Sequence, residues 1–288
     1  MFKKFLLPLA LLLAAALSRF GLAPLQTRLP ADYANEVFYA QENQFRDSPE
    51  GEWQSNKFTA RRVDQAVAAT SQAIIIQGDL HIYFENGDLS FETSGLYGVD
   101  RISRQNLPDY GNKKRGGQYL FPAPTAKASY ILWDPSYIGP QTVTFDHTET
   151  LDGLLVYVFN FSVTELNETE GYSYLPNVPE RYLAHTNAQG FLWVEPRSGI
   201  IVNYQDQGAS SFADPTSGER VADFNKWNNV FTPETRLDQL AQARAARQRI
   251  LALEIWIPFG ALLAAFGVAG AQVAAPRVRV REEAGVSA

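Results

Sequence analysis

The sequence predicts a mainly β (α+β) fold, a curved antiparallel sheet or half-barrel flanked by N- and C-terminal transmembrane helices. Three observations carry this. An Asn-Gly step lies between aromatic-rich arms at His81–Phe91, β-forming runs separated by Gly and Pro turns continue to Trp227, and a charge-free C-terminal run stops in arginine.

The first membrane segment follows Lys3 and Lys4, where thirteen apolar residues run from Phe5 to Leu17. That run suits a signal-peptide core as well as a short membrane span. Ala14, Ala15, Ala16 and Ser18 offer a peptidase small residues, yet apolar character resumes at Phe20, Gly21, Leu22 and Ala23. Arg19 can snorkel to headgroups at modest cost. Residues 1–24 therefore read as a membrane anchor or uncleaved signal, and in either case the chain from about Leu25 to Arg249 is exported.

Within the exported part, the Glu85-Asn86-Gly87-Asp88 turn predicts a hairpin, because Asn and Gly tolerate positive φ. Lys57–Thr70 and Gln72–Leu80 alternate in Val, Ile, Thr and Ala and are expected to pair in the same sheet. Thr142–His147 leads through Asp152-Gly153 into LLVYVFNFSV (Leu154–Val163), almost wholly β-forming. A third meander runs from Phe191 through the turn 195–199 to Asp206, then through 214–218 to Trp227. Asp100–Gly117 and Leu166–Pro179 lack regular signal and read as long surface loops.

Thr232-Pro233-Glu234 supplies an N-cap, a proline at the first helical position and an early acid. The reading is an extracytoplasmic antiparallel β domain over 25–231, a helical stalk over 232–254, a transmembrane helix over 255–275 and a cytoplasmic basic tail over 276–288. Ile255–Ala275 has no charge and one interior amide, Gln272, and is long enough for a hydrocarbon core of about 30 Å. Trp256 marks one interface, while Arg277, Arg279 and Arg281 place the C-terminus in the cytoplasm by the positive-inside rule. Pro258 can kink the helix near its outer end. Gly260, Ala264, Gly267 and Ala271 offer a small-residue stripe for the first helix or a second copy, which makes a homo-oligomer an expectation.

Charge agrees with this topology. Residues 30–230 hold 26 Asp and Glu against 14 Lys and Arg, a net of −12, while the two ends together carry +6. An acidic domain repels phosphate backbones, so nucleic acid is excluded as a partner. Basic ends suit the cytoplasmic leaflet. Cys is absent, so no disulfide supports the domain and its core must do so.

No residue pattern calls for catalysis, a cofactor or a metal. His81, His147 and His185 lack helical metal spacing, and no Gly-x-Ser-x-Gly, Ser-x-x-Lys or Gly-x-x-x-x-Gly-Lys occurs. Between Ala128 and Glu180 there is no Lys or Arg among many acids, of which Glu165, Glu168 and Glu170 are candidates for Ca²⁺ and otherwise solubilise the surface. Tyr119, Phe121, Tyr130, Trp133 and Tyr137, interleaved with Pro122, Pro124 and Pro135, either line an apolar cleft or form an ordinary sheet core.

The order GGQYLFPAPTAKASYILWDPSY, DGLLVYVFNF and ERYLAHTNAQGFLWVEPRSGIIV resembles the porin PorA family over nearly the whole chain. Its most specific parts are Trp133-Asp134, Asp152-Gly153-Leu154 with Tyr157 and Phe159, and Trp193 to Gly199. Ser198 stands where the family usually has Thr, and the acidic stretch from Glu165 to Pro179 is longer than usual. The resemblance implies a short N-terminal membrane segment, an exported β-rich domain and a C-terminal membrane helix. Its name implies an envelope channel, and it brings no catalytic residues.

A β-barrel porin needs lipid-facing strands and no membrane helix. The sequence therefore points to a non-enzymatic, membrane-anchored envelope protein that binds a lipid or another envelope ligand or partner. The alternative is a porin-like channel or transport component. The lipid bilayer is the expected partner of both hydrophobic segments.

Overall fold

The computed structural model describes residues 6–133 and 137–274. Lys3, Lys4, Asp134, Pro135, Ala275 and the basic tail with Arg277, Arg279 and Arg281 lie outside the described residues. The chain divides into two compact units, Met1–Leu25 with Arg249–Ala288, and Gln26–Gln248.

The larger unit is built on eleven strands: β1 Ala34–Phe45, β2 Gln54–Ala69, β3 Ala73–Phe84, β4 Leu89–Asp100, β5 Asn106–Gly111, β6 Ser129–Leu132, β7 Gln141–Leu151, β8 Leu154–Asn167, β9 Leu183–Glu195, β10 Ile200–Ala213 and β11 Arg220–Phe231. They form one sheet ordered β5-β4-β3-β2-β1-β11-β10-β9-β8-β7-β6, with every ladder antiparallel. Each neighbour but one is the next strand in the chain. The exception joins the first strand to the last, with Tyr39 opposite Phe231 and Phe45 opposite Asn225.

Local chemistry sets the hairpins. Asp152 and Gly153 both adopt positive φ, 49° and 79°, as a two-residue turn between twisted strands requires. At the β3–β4 turn only Gly87 takes positive φ, while the Asn86 side chain accepts from the Asp88 amide and donates to its carboxylate. The turns after β9 and β10 place Gly199 and Gly218 at positive φ.

The ladder remains open, because β5 and β6 do not pair. Residues 117–119 bond to the chain at both edges: the Asn106 amide donates to Gly117 O (2.9 Å) and Tyr119 to Arg104 O (2.8 Å), while Gln118 donates to Ile131 O (2.6 Å) and Trp133 to Gln118 O (2.8 Å). One short segment thus brings the two ends of the sheet together and curls it. Arg104, buried and at positive φ, holds this join by donating to Phe121 O (2.7 Å) and Thr27 O (3.2 Å). Burial lowers its guanidinium to about 10, and the guanidinium stays charged at neutral pH.

Both segments read as surface loops do more than connect. The stretch 100–117 contains β5 and leads into the join. In 166–179, Leu175 and Val178 are buried with Tyr182, Phe212 and Phe224, and Glu168 is 5% exposed. Apolar side chains three residues apart give this segment a packed underside, which its prolines and acids conceal in sequence.

Alternation along β8 sorts its side chains onto two faces. Phe159, Phe161 and Val163 join Val37, Phe121, Leu132, Tyr137, Leu192 and Tyr204 on one side. Leu154 and Val156 point the other way, against Val202 and against Leu240 and Ala243 of helix α3 (Pro233–Leu251); the label follows α1 and α2 of the smaller unit, Leu6–Ala16 and Ala23–Gln26. Thr232 caps α3, accepting from the Thr235 amide at 3.2 Å. Thr235 Oγ1 in turn accepts from the Phe38 amide at 2.8 Å, and Gln239 donates to Asn35 at 2.8 Å. The helix expected as a stalk is, up to residue 248, a second layer on the sheet.

In the smaller unit a π-helical turn, Leu17–Leu22, separates α1 from α2, and another, Ala252–Trp256, precedes α4 (Ile257–Ala274). Leu6–Gln26 and Pro233–Gln272 are helices long and apolar enough, by length and composition, to cross a membrane. α1 packs against α4, with Ala15 and Ala265 buried. The stripe Gly260, Ala264, Gly267 and Ala271 is exposed instead, and a Cβ added at Gly260 or Gly267 would meet nothing within 4 Å.

Candidate functional site

A cavity of about 240 Å³ lies against the sheet. Period-two spacing places its walls: Tyr39 and Gln41 on β1, Ala60 and Arg62 on β2, Leu80 and Ile82 on β3, and Asn225, Trp227 and Asn229 on β11, joined by Phe91, Tyr204 and, from the segment after β8, Glu168 and Tyr172. Ala60, Leu80, Ile82 and Phe91 form its apolar side, and Phe91 is 52% exposed. Trp227 reaches in because β10 has glycine opposite it: a Cβ at Gly208 would lie 2.4 Å from the indole Cζ2.

Arg62 is the one cation on this wall among the described residues. Its Nε donates to Asp64 Oδ1 at 3.1 Å and its Nη2 to the Tyr119 hydroxyl at 2.9 Å, while Tyr119 donates to Asp64 at 2.8 Å. The Tyr119 and Trp133 rings flank the guanidinium at 5.3 and 5.2 Å. Burial works against its charge, and Asp64 together with Tyr119 and Tyr39 more than offsets this, so the guanidinium is held well above its ordinary value. Gly78, opposite Asp64, leaves room for the pair: its Cβ would sit 3.1 Å from Asp64 Oδ1.

On the other side Glu168 accepts from the Thr186 hydroxyl and, at 3.3 Å, from the Ile138 amide. The chain of contacts continues from Thr186 to Ser210 (2.7 Å), from Ser210 to Tyr172 (3.2 Å), and from Asn225 to the Tyr172 hydroxyl (3.0 Å). Burial raises the Glu168 carboxyl above its usual range despite those donors. Asp206 accepts from Tyr137 (2.9 Å) and from Trp227 Nε1 (2.8 Å), which fixes the indole. Asn229 Oδ1 is buried and has no hydrogen-bond partner among the described residues.

The aromatic series read from sequence is core rather than cleft wall. Phe121 and Tyr137 lie in one cluster with Tyr130 packed on it, and Tyr119 and Trp133 lie in another. Tyr119 and Trp133 serve the cavity indirectly, through Arg62. Glu165, Glu168 and Glu170 are not brought together: Glu165 engages Asn187 and His185 at the surface while Glu168 turns inward. Among the described residues no three His, Asp or Glu converge on a point. Apart from Glu168, the cavity residues carry no site signal in the sequence, because they come from strands far apart in the chain. The one local signal was alternation, as in Tyr39-x-Gln41 and Ala60-x-Arg62.

The fold and site define a single curled antiparallel sheet, backed by a helix and carrying an amphipathic cavity, in a chain with two helices fit to cross a membrane. This chain belongs to the porin PorA family, whose model matches residues 5–274. No curated protein matches it. Among solved structures it is similar to DynF from the dynemicin biosynthesis pathway of Micromonospora chersina, at 12% identity and a TM-score of 0.19, over 72% of this chain and 85% of that one. At that score the likeness carries no argument.

Proposed function

We propose that this protein is a membrane-anchored component of the cell envelope whose exported β domain binds a small amphiphile without catalysing a reaction. The observation that carries this reading is the cavity, with aliphatic and aromatic residues on one side and Asn, Gln, Tyr, Arg62 and Glu168 on the other. Such a lining orients a ligand through a few fixed polar groups while apolar surface supplies affinity. A volume of about 240 Å³ suits a small ligand or part of one chain, and exposed Phe91 gives the chain a way in. Family membership and the two apolar helices support an envelope location, and the acidic middle between basic ends supports termini on the cytoplasmic side.

The channel reading draws on the family name alone. The outward face of the sheet carries charge pairs, Glu36 with Arg61 at 2.6 Å and Glu42 with Lys57 at 3.7 Å, where a lipid-facing barrel has an apolar band. Native mass spectrometry of the full-length protein, released from detergent, tests the proposal. The expected result is a discrete lipid adduct that disappears in Ile82→Trp, which fills the cavity, with circular dichroism unchanged. An adduct equally abundant in that variant, or none in either protein, would overturn it.

A further inference from the structure

We infer that the polar end of the cavity recognises a neutral, hydroxylated headgroup of the sugar type, in preference to a phosphate or an ammonium group. This deepens the amphiphile-binding reading and rests on it.

Both ionisable side chains on the wall outside the tyrosines, Arg62 and Glu168, are already engaged by the protein. Arg62 is salt-bridged to Asp64, bonded to Tyr119 and flanked by two rings, and Asp64 is 3% exposed. A phosphate would compete with a buried carboxylate for that guanidinium and would leave Asp64 desolvated and unpaired, a costly exchange. Glu168 is likewise turned toward Thr186 and the Ile138 amide, so an ammonium finds no carboxylate waiting.

The rest of the polar wall is amide and hydroxyl chemistry. Gln41 and Asn229 lie on it beside Tyr39 and Tyr204, and with Asn225 and Tyr172, which bond one another at 3.0 Å. Asn229 Oδ1 is a buried acceptor with no partner among the described residues. It calls for an O–H or N–H donor, since a buried polar atom left unsatisfied is costly. A hydroxyl, both donor and acceptor, meets the Asn229 oxygen and the Gln41 amide alike. Trp227, fixed by Asp206, adds a flat ring beside them.

The test presents three probes of equal concentration to the full-length protein in an oligo-ethylene-glycol detergent: dodecyl glucoside, dodecyl phosphate and free glucose, read by native mass spectrometry. Dodecyl glucoside is expected to give a one-to-one adduct at least tenfold more abundant than dodecyl phosphate. Asn229→Leu should reduce that adduct at least tenfold while leaving the melting temperature unchanged or raised, because an unsatisfied buried acceptor is removed. A merely structural Asn229 would instead lower the melting temperature. If free glucose binds as well as the glucoside, the hydroxyl recognition stands and its source is a soluble saccharide. If glucoside and phosphate bind equally, or phosphate binds better, and both adducts are abolished by Ile82→Trp, the headgroup inference is overturned while the cavity reading stands. Adducts that survive Ile82→Trp overturn both.

Discussion

The hydroxyl of Tyr119 donates to Oδ1 of Asp64 at 2.8 Å, and this contact between residues 55 apart holds the carboxylate that fixes Arg62 against the cavity. Three groups on β2 and on the segment joining the sheet edges thereby share one buried polar cluster. Its role in the fold is open to measurement.

Asp64→Ala leaves a nearly buried guanidinium without its counter-ion, and breaking a buried pair in this way costs about 3–5 kcal/mol. The melting temperature of the full-length protein should fall accordingly. The double variant Arg62→Met with Asp64→Leu removes both charges and should recover much of that loss. A single variant as stable as wild type would mean that the pair is solvated.

Glu168 carries a pH dependence of definite sign. Its carboxyl is raised by burial, so the folded state binds a proton more tightly than the unfolded chain does. Its contribution is fully present below the unfolded carboxyl value and is lost as pH rises through the raised one. Glu168→Gln, in which the amide can meet both Thr186 and Ile138, is therefore expected to melt higher than wild type at pH 7 and equally at pH 4. A variant less stable at pH 7 would show that the charged form is the one the fold favours.

Gly208→Ala sets a methyl against the Trp227 indole, because a Cβ at residue 208 would lie 2.4 Å from the ring. The ring must tilt and give up its bond to Asp206, at about 1–3 kcal/mol for forced overpacking. Tryptophan emission should shift to the red and the cavity adduct should weaken. An unchanged spectrum would mean that β10 moves instead.

In the smaller unit, Ser18 Oγ donates to the Leu253 carbonyl at 2.9 Å and Arg19 to the Glu254 carbonyl at 2.6 Å, so each joins one π-helical turn to the other. π-turns free backbone carbonyls, and these two receive side-chain donors. Ser18→Ala should cost about 0.6 kcal/mol, the average for such bonds between membrane helices. Hydrogen exchange of residues 252–256 in nanodiscs should rise, with the β domain unaffected; exchange that does not change would show the bond to be incidental.

Much of the β meander was legible because its turns are local. Asn86-Gly87, Asp152-Gly153 and the Pro-to-Gly turns after β9 and β10 each declare themselves within a few residues, and so does the cap at Thr232. β5 and the 117–119 segment gave no such sign, since their hydrogen bonds go to partners set by the curl of the whole sheet. Glu168 looked like one more surface acid among many, and its burial depends on Thr186 and Ser210, on strands it does not adjoin in sequence.

The sequence by itself determined the β class, most hairpins, the apolar terminal segments and the family, because turn chemistry, side-chain alternation and hydrophobic length act over short stretches of chain. Tertiary structure alone decided that β1 pairs with β11, that residues 117–119 join the sheet's edges, and that α3 backs the sheet. It also gathered Tyr39, Arg62, Glu168 and Trp227 around one cavity. Those outcomes rest on contacts between residues tens to hundreds of positions apart, where the curl of the whole sheet, and no local preference, selects the neighbour.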